Sequence, residues 1–236
     1  MGHSGPETAE DSRTHFGIFA PGVTQLFPDG HIINLHPWEH NEVAPALATA
    51  LNTDVPLIAV HLTRPPIMIP DRKSLGMDSH LCASKGAYLI KDYDPARVKE
   101  GVVIVRGTSS TNSLVEILPR LRKEGPNVKV ISAISWELFK RQPNEYRETV
   151  ITDSEWNDSM IITNGAKRLM HKWIANSIVE EYSLSPDFDN CWRTGGSVEQ
   201  IVAEAHLDPN SIWNGITRFA LDRQKRLSRL RKNLSM

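Results

Sequence analysis

Cysteine is scarce in this sequence, and so is any imbalance of charge. The 236 residues include only two cysteines, Cys82 and Cys191, too few and too far apart for a disulfide framework or a thiolate metal site. We therefore predict that both are reduced thiols. The 27 Lys and Arg residues nearly cancel the 28 Asp and Glu residues, which leaves a net charge of −1. This balance gives no global attraction to nucleic acid or to an anionic membrane.

Long apolar runs are also missing. No run approaches the roughly 20 residues that a transmembrane helix needs, and the N-terminus lacks the apolar stretch of a secretion signal. We expect a cytoplasmic protein with neither nucleic acid nor a membrane as partner. The basic stretch 218–232 is interpreted as the solvated face of a last helix. With 40% hydrophobic residues, the chain can bury one large core or two modest ones.

Short apolar runs alternate with amphipathic segments, which predicts an α/β fold with parallel strand pairs. The predicted strands are 32–35, 55–62, 102–105, 128–132 and 160–163, with a brief strand-like run at 87–90. One helix is predicted to start near residue 41 and to bury Val43, Ala44, Leu47, Ala48 and Leu51. Further helices are predicted at 113–121, 166–173, 198–205 and 211–231.

Proline-rich dipeptides between residues 65 and 99 indicate a break between two units. We predict a first domain at 1–80, a linker at 81–99 and a second domain at 100–236. The first sixteen residues or so are polar and lack apolar periodicity, so they are predicted to form a loop. The chain thus begins in what looks like a binding loop, which suggests an upstream piece.

Two segments carry candidate functional residues. The polar N-terminal loop holds His3, Asp11 and His15, which can transfer protons near neutral pH and accept hydrogen bonds from hydroxyls. Taken alone, this pattern also fits a solvated loop. Arg64 follows the second predicted strand, at the end where ligands of open α/β sheets bind. Its planar guanidinium suits a phosphate, although a structural ion pair is equally consistent.

The turn Gly107-Thr108-Ser109-Ser110 lies between a predicted strand and a predicted helix. Such a turn can offer backbone N–H groups to an anion. No Lys and no second motif glycine supports a phosphate loop here, so we interpret the hydroxyls as helix caps.

One run of residues resembles a known family. It is Ser135-Trp136-Glu137-Leu138-Phe139-Lys140-Arg141-Gln142, followed by Glu145-Tyr146-Arg147-Glu148. Together they are similar to the C-terminal domain of transketolases. His3, Asp11 and Thr14-His15 fall in the register of the transketolase substrate loop, and Leu62-Thr63-Arg64 is similar to the family's phosphate-binding segment.

The resemblance implies a fold and an activity. The fold would be an incomplete parallel-sheet pyrimidine-binding domain followed by a three-layer α/β transketolase C-terminal-like domain. The activity would be transfer of a two-carbon ketol unit from a ketose phosphate to an aldose phosphate, with thiamine diphosphate and Mg²⁺ as cofactors. His15 and His3 are then expected to be catalytic, and Asp11, Arg64 and His3 to bind substrate.

The resemblance also implies a partner. The family's Gly-Asp-Gly metal motif, and its glutamate that acts on the cofactor, belong to a part of the enzyme that this sequence does not match. We therefore expect a split, oligomeric enzyme in which an N-terminal transketolase-like subunit holds the cofactors. The alternative is a noncatalytic regulatory or assembly protein with relict histidines. Ser12-Arg13 and Pro65-Pro66 depart from the family pattern, which leaves the donor and acceptor sugars open.

Overall fold

The computed structural model describes residues 3–193 and 195–234, and these contain two β-sheets. The smaller sheet pairs two parallel strands around one crossover helix. Its elements are β1 (Ile32–Leu35), α1 (Val43–Leu51) and β2 (Leu57–Val60). The larger sheet has the strand order β3-β5-β4-β6. Its strands are β3 (Ala87–Lys91), β4 (Val102–Arg106), β5 (Lys129–Ala133) and β6 (Ser159–Thr163).

Strands β4, β5 and β6 run parallel, and β3 pairs antiparallel with β5. The helices that follow β4 are α2 (Thr108–Glu124), α3 (Trp136–Lys140), α4 (Asn144–Val150), α5 (Asp153–Asn157), α6 (Ser177–Tyr182), α7 (Val198–Glu204), α8 (Pro209–Leu221) and α9 (Arg223–Leu234). No helix in the described ranges is long and apolar enough to cross a bilayer. The parallel strand pairs, with helices between them, confirm the predicted α/β class.

Alternation along β4 shows why the larger sheet is covered on both faces. Val103 and Val105 pack into the cluster that contains Leu114 of α2, whereas Val102 and Ile104 pack into a second cluster on the other side. Successive residues of a strand point to opposite faces, so a run that is apolar throughout requires a layer on each side. The larger sheet thus has the three-layer arrangement that the resemblance implied.

Strand β3 lies within residues 81–99, which were predicted to be a linker. It is instead an edge strand of the larger sheet, because Ala87, Tyr88 and Ile90 are apolar or aromatic and fully buried against it. Prolines on both sides of residues 87–90 suggested a linker and gave no sign that this short strand pairs with the larger sheet. The domain boundaries at 80 and 100 otherwise stay a prediction.

Three helix predictions need correction. Residues 166–173 form only a short 3₁₀ turn, Lys167–Met170. The segment 211–231 is two helices, α8 and α9, which meet at Asp222, whose carboxylate accepts a hydrogen bond from the Tyr182 hydroxyl at 2.7 Å. Helix α2 is longer than the predicted 113–121.

The buried face of α1 was also predicted wrongly. Ala46 and Ala50 are fully buried, whereas Leu51 is 67% exposed. The helix is apolar around most of its circumference, so its periodicity could not identify the buried side. Cys82 and Cys191 are both free, as expected.

Candidate active site

The N-terminal loop is fastened to the end of β2 and to itself. The Ser4 N–H donates to the Leu62 carbonyl at 2.9 Å, and Gly5 and Gly17 exchange backbone hydrogen bonds across an antiparallel bridge. Gly17 must lack a side chain, because a Cβ there would lie 1.6 Å from the His3 carbonyl oxygen. These contacts carry the histidine loop to the carboxyl end of the smaller sheet.

All four site residues predicted from the sequence come together in this loop and beside it. The His3 and His15 rings lie 4.6 Å apart between centroids. His15 Nδ1 is 3.6 Å from Asp11 Oδ2 and 3.1 Å from Arg64 Nη2, and Arg64 also forms an ion pair with Asp11. Because a guanidinium only donates, His15 Nδ1 acts as the acceptor, which places the proton of the neutral ring on Nε2.

The electrostatics leave His3 neutral and available. Burial lowers the pKa of His3, and the nearby Arg64 and His15 lower it further. Its Nε2 atom is buried and has no hydrogen-bond partner. A buried ring nitrogen without a partner is costly unless a ligand satisfies it. His3 can therefore bond to a hydroxyl or carbonyl oxygen placed against the loop.

The Asp11–Arg64 ion pair is open to solvent. The two side chains are 43% and 41% exposed, so water screens their attraction and the pair contributes little to stability. A phosphate that meets Arg64 can thus share or replace the carboxylate at small cost. Arg64 lies on the loop that follows β2, as its sequence position predicted.

Glu7 is a buried residue in this loop whose position the sequence did not reveal. Its Oε2 accepts from Ser109 Oγ at 2.8 Å, and its Oε1 accepts from Asn164 Nδ2 at 3.0 Å. Burial raises the pKa of this carboxyl. Glu7 joins the loop to the carboxyl ends of β4 and β6. A glutamate in a polar segment carries no sequence signal for such a role.

The start of α2 also differs from expectation. The N-cap is Gly107, and no side chain caps the helix. Ser109 turns to Glu7, and Ser110 Oγ donates back to the Arg106 carbonyl at 2.6 Å. The interpretation of these hydroxyls as helix caps was therefore wrong.

Trp192 closes over the other side of the loop. Its Nε1 donates to the Arg13 carbonyl at 2.8 Å, and its ring packs on Phe16 with centroids 5.1 Å apart. This contact joins residues distant in sequence, so no local pattern could have predicted it.

The site does not fit a metal ion. Within residues 3–193 and 195–234, no group of three or more His, Cys, Asp or Glu side chains could hold one. The carboxylate of Asp11 is already engaged by Arg64, whose charge opposes a nearby cation. The described residues of this chain thus offer hydrogen-bonding and anion-binding groups but no site for Mg²⁺.

Sequence comparisons with known proteins all find transketolases. Residues 86–184 match the model of the transketolase-like TK C-terminal domain. Transketolase 7 of Craterostigma plantagineum is 34% identical over 156 residues, which covers 64% of this chain and 21% of that protein. A chloroplastic transketolase of Spinacia oleracea is 27% identical over 210 residues, covering 87% of this chain and 27% of that protein. The chain spans about a quarter of the length of these relatives.

Solved structures show the same fold. Transketolase from Leishmania mexicana superposes with a TM-score of 0.72 at 17% identity, covering 94% of this chain and 30% of that one. Pichia stipitis transketolase in complex with sedoheptulose-7-phosphate gives 0.70 at 18% identity, covering 95% and 30%. Residues 86–184 thus match the transketolase C-terminal domain that the residues around Trp136 predicted, and the described chain has the fold of the corresponding part of a transketolase.

Proposed function

We propose that this chain is the C-terminal subunit of a transketolase-like enzyme that moves a two-carbon ketol unit from a ketose phosphate to an aldose phosphate. The observation that carries the proposal is the convergence of His3, Asp11, His15 and Arg64 at one edge of the smaller sheet. A loop of relict histidines has no reason to keep this arrangement.

Each of the four residues has a role suited to its chemistry. His15 presents a protonated Nε2, and His3 an unpartnered Nε2, to the reacting hydroxyl and carbonyl oxygens of a sugar. Asp11 accepts a hydrogen bond from a substrate hydroxyl. Arg64 binds the terminal phosphate through charge-assisted hydrogen bonds. Thiamine diphosphate supplies the carbanion chemistry when bound, and we assign it and its Mg²⁺ to a partner chain.

Exposed apolar residues on the smaller sheet and its crossover helix support such a partner. Leu51 at the end of α1 is 67% exposed and Leu57 at the start of β2 is 40% exposed. Parallel sheets are normally covered on both faces, and a sheet of two strands is incomplete by that standard. We propose that an N-terminal transketolase-like subunit covers this surface, in a cytoplasmic oligomer where residues 1–80 complete its pyrimidine-binding domain.

Reconstitution tests the proposal. The purified chain is mixed with the candidate cofactor-binding chain, thiamine diphosphate, Mg²⁺ and sugar phosphates, and ketol transfer is measured. We expect activity only when both chains are present, and a loss of about 100-fold or more in kcat for His15→Ala, because general acid–base groups contribute on that scale. His31→Ala, which removes an exposed histidine outside the loop, is the matched control.

The outcomes separate the two functional classes. Full activity in His15→Ala removes that residue from the mechanism. A stable complex of the two chains without ketol transfer by either the wild type or the variant supports the noncatalytic assembly protein instead.

A further inference from the structure

A second polar site lies deeper in the molecule, between the two sheets. A cavity of about 30 Å³ opens beside Arg106, the last residue of β4, and its walls include Thr24, Asn34, His36, Glu137 and Lys172. Arg106 is only 4% exposed. Its Nη1 donates to the Leu169 carbonyl at 3.0 Å, but its buried Nη2 has no hydrogen-bond partner.

The guanidinium also lacks a direct counter-charge. In the described ranges, no carboxylate oxygen forms an ion pair with Arg106 within 4.0 Å. Two carboxylates line the cavity, and both are paired with Lys172, whose Nζ is 2.8 Å from Asp29 Oδ1 and 3.2 Å from Glu137 Oε1. Glu137 Oε2 also accepts from the Asn34 N–H at 3.2 Å. A buried cation without a partner is strongly unfavourable. The structure therefore calls for an anion at this point.

The neighbouring imidazoles cannot play that part. His36 and His61 stack with centroids 4.4 Å apart and an interplanar angle of 11°. Burial lowers the pKa of both rings, and the charge of Arg106 lowers it further, to about 3 for His61. Both rings are thus neutral near pH 7. His36 lines the cavity and adds hydrogen-bonding capacity without adding charge.

We propose that this cavity binds one monovalent inorganic anion of the size of chloride, held by Nη2 of Arg106. The volume is enough for one or two water-sized particles, which excludes a phosphate or a sugar. This site is separate from the His3–His15 cluster and does not depend on the proposed transfer activity.

A solution experiment tests the proposal. The full chain is transferred to a buffer with sodium gluconate as the only salt, and its unfolding midpoint is followed as chloride or bromide replaces gluconate at constant ionic strength. An anion that binds only the folded chain raises the midpoint, here by a few degrees at saturation. Arg106→Gln removes the charge and should lose the response. Arg122→Gln, which alters an exposed arginine of α2 outside the cavity, should keep the chloride response.

Crystals grown in sodium bromide give the second measurement. We expect an anomalous bromide peak within hydrogen-bond distance of Arg106 Nη2 in the wild-type chain. If Arg106→Gln does not fold, the wild-type peak together with the wild-type chloride response still supports the site. Water alone beside Arg106, a peak without any chloride response in solution, or an equal response in folded Arg106→Gln overturns the proposal.

Discussion

The Arg64 side chain contacts two residues of the loop and still has a surface on which a ligand can bind. It donates to His15 and forms an ion pair with Asp11, yet it is 41% exposed at the rim of the loop. Screening by solvent keeps the pair weak, so a phosphate with two oxygens for the planar guanidinium can displace it. The sequence predicted this arginine because it follows a strand, where ligands of α/β sheets bind.

Replacing Arg64 by alanine tests this availability. We expect the KM for phosphorylated sugars to rise about 10-fold or more with a smaller change in kcat, because a remote charge-assisted contact mainly supplies binding energy. The KM for unphosphorylated sugars should change little. Steady-state kinetics of the two-chain enzyme measures both, with Arg13→Ala, an exposed arginine of the same loop, as control. An equal rise for both kinds of sugar means that Arg64 is structural.

Glu7 gives a prediction about pH. Burial raises its pKa in the folded chain, whereas an unfolded chain titrates this glutamate near 4.5. As the pH rises above that value, the unfolded chain releases its proton before the folded chain does. The free energy of unfolding should therefore fall with rising pH until the folded-state pKa is passed. Glu7→Gln keeps the shape and loses the charge, so this fall should disappear.

Urea unfolding at a series of pH values measures the effect. Glu10→Gln, which alters an exposed glutamate of the same 3₁₀ turn, is the control and should keep the wild-type slope. If wild type and Glu7→Gln have the same slope, the Glu7 carboxyl does not hold its proton through burial.

At the scale of elements, strands were predictable and helix ends were not. The strand at 102–106 begins with four apolar residues and the strand at 129–133 is mostly apolar, and both are buried along their full length in a covered sheet. Helix α1 is apolar on most sides, and its buried face depends on tertiary contacts. The burial of β3 also depends on tertiary contacts, because the hydrogen-bond partners of its Tyr88 lie far away in sequence.

Those partners form a buried polar network that joins β3 to the turn before α1. The Tyr88 hydroxyl accepts from Trp38 Nε1 at 2.8 Å and from Arg72 Nη1 at 3.0 Å, and it donates to the Glu42 carboxylate. The carboxylate of Glu42 also accepts from Arg72 Nη2 at 2.8 Å. The two sheets are thus joined by hydrogen bonds as well as by apolar packing.

Tyr88→Phe removes the shared hydroxyl and leaves three buried groups short of a partner. We expect the free energy of unfolding to fall by about 1–3 kcal/mol, the usual cost of leaving buried polar groups unsatisfied. Tyr93→Phe is the matched control, since its hydroxyl makes one bond, to the Gly101 carbonyl at 3.2 Å, and should cost about 1 kcal/mol or less. Urea denaturation measures the free energy of unfolding of both variants and of the wild type. Equal losses in the two variants contradict a special role for the network.

At the scale of the whole molecule, the larger sheet is enclosed and the smaller one is not. β4 is buried along its full length, whereas every residue of β2 keeps some exposure. Sequence alone could predict strands of both sheets, because their short apolar runs are visible in the sequence. It could not show that Arg106 and Glu7 lie between them, since neither has a pattern that signals burial.

Leu57→Asp and Leu51→Asp test whether the open side of the smaller sheet binds a partner. Each places a charge where an apolar contact is proposed, so the Kd for the cofactor-binding chain should rise about 10-fold or more. Leu221→Asp, on α8 of the larger unit and 80% exposed, is the control. Titration calorimetry measures the affinities, and circular dichroism checks the fold. Unchanged affinity in both variants places the partner elsewhere.

Glu7 lies in the histidine loop and is held by Ser109 and Asn164, which follow the carboxyl ends of β4 and β6. A fusion of residues 1–80 to an unrelated domain would keep His3 and His15 but would lose Ser109 and Asn164, which hold Glu7 in their loop. The histidine loop and the residues that hold Glu7 thus belong to one folded structure, although they lie in separate parts of the sequence.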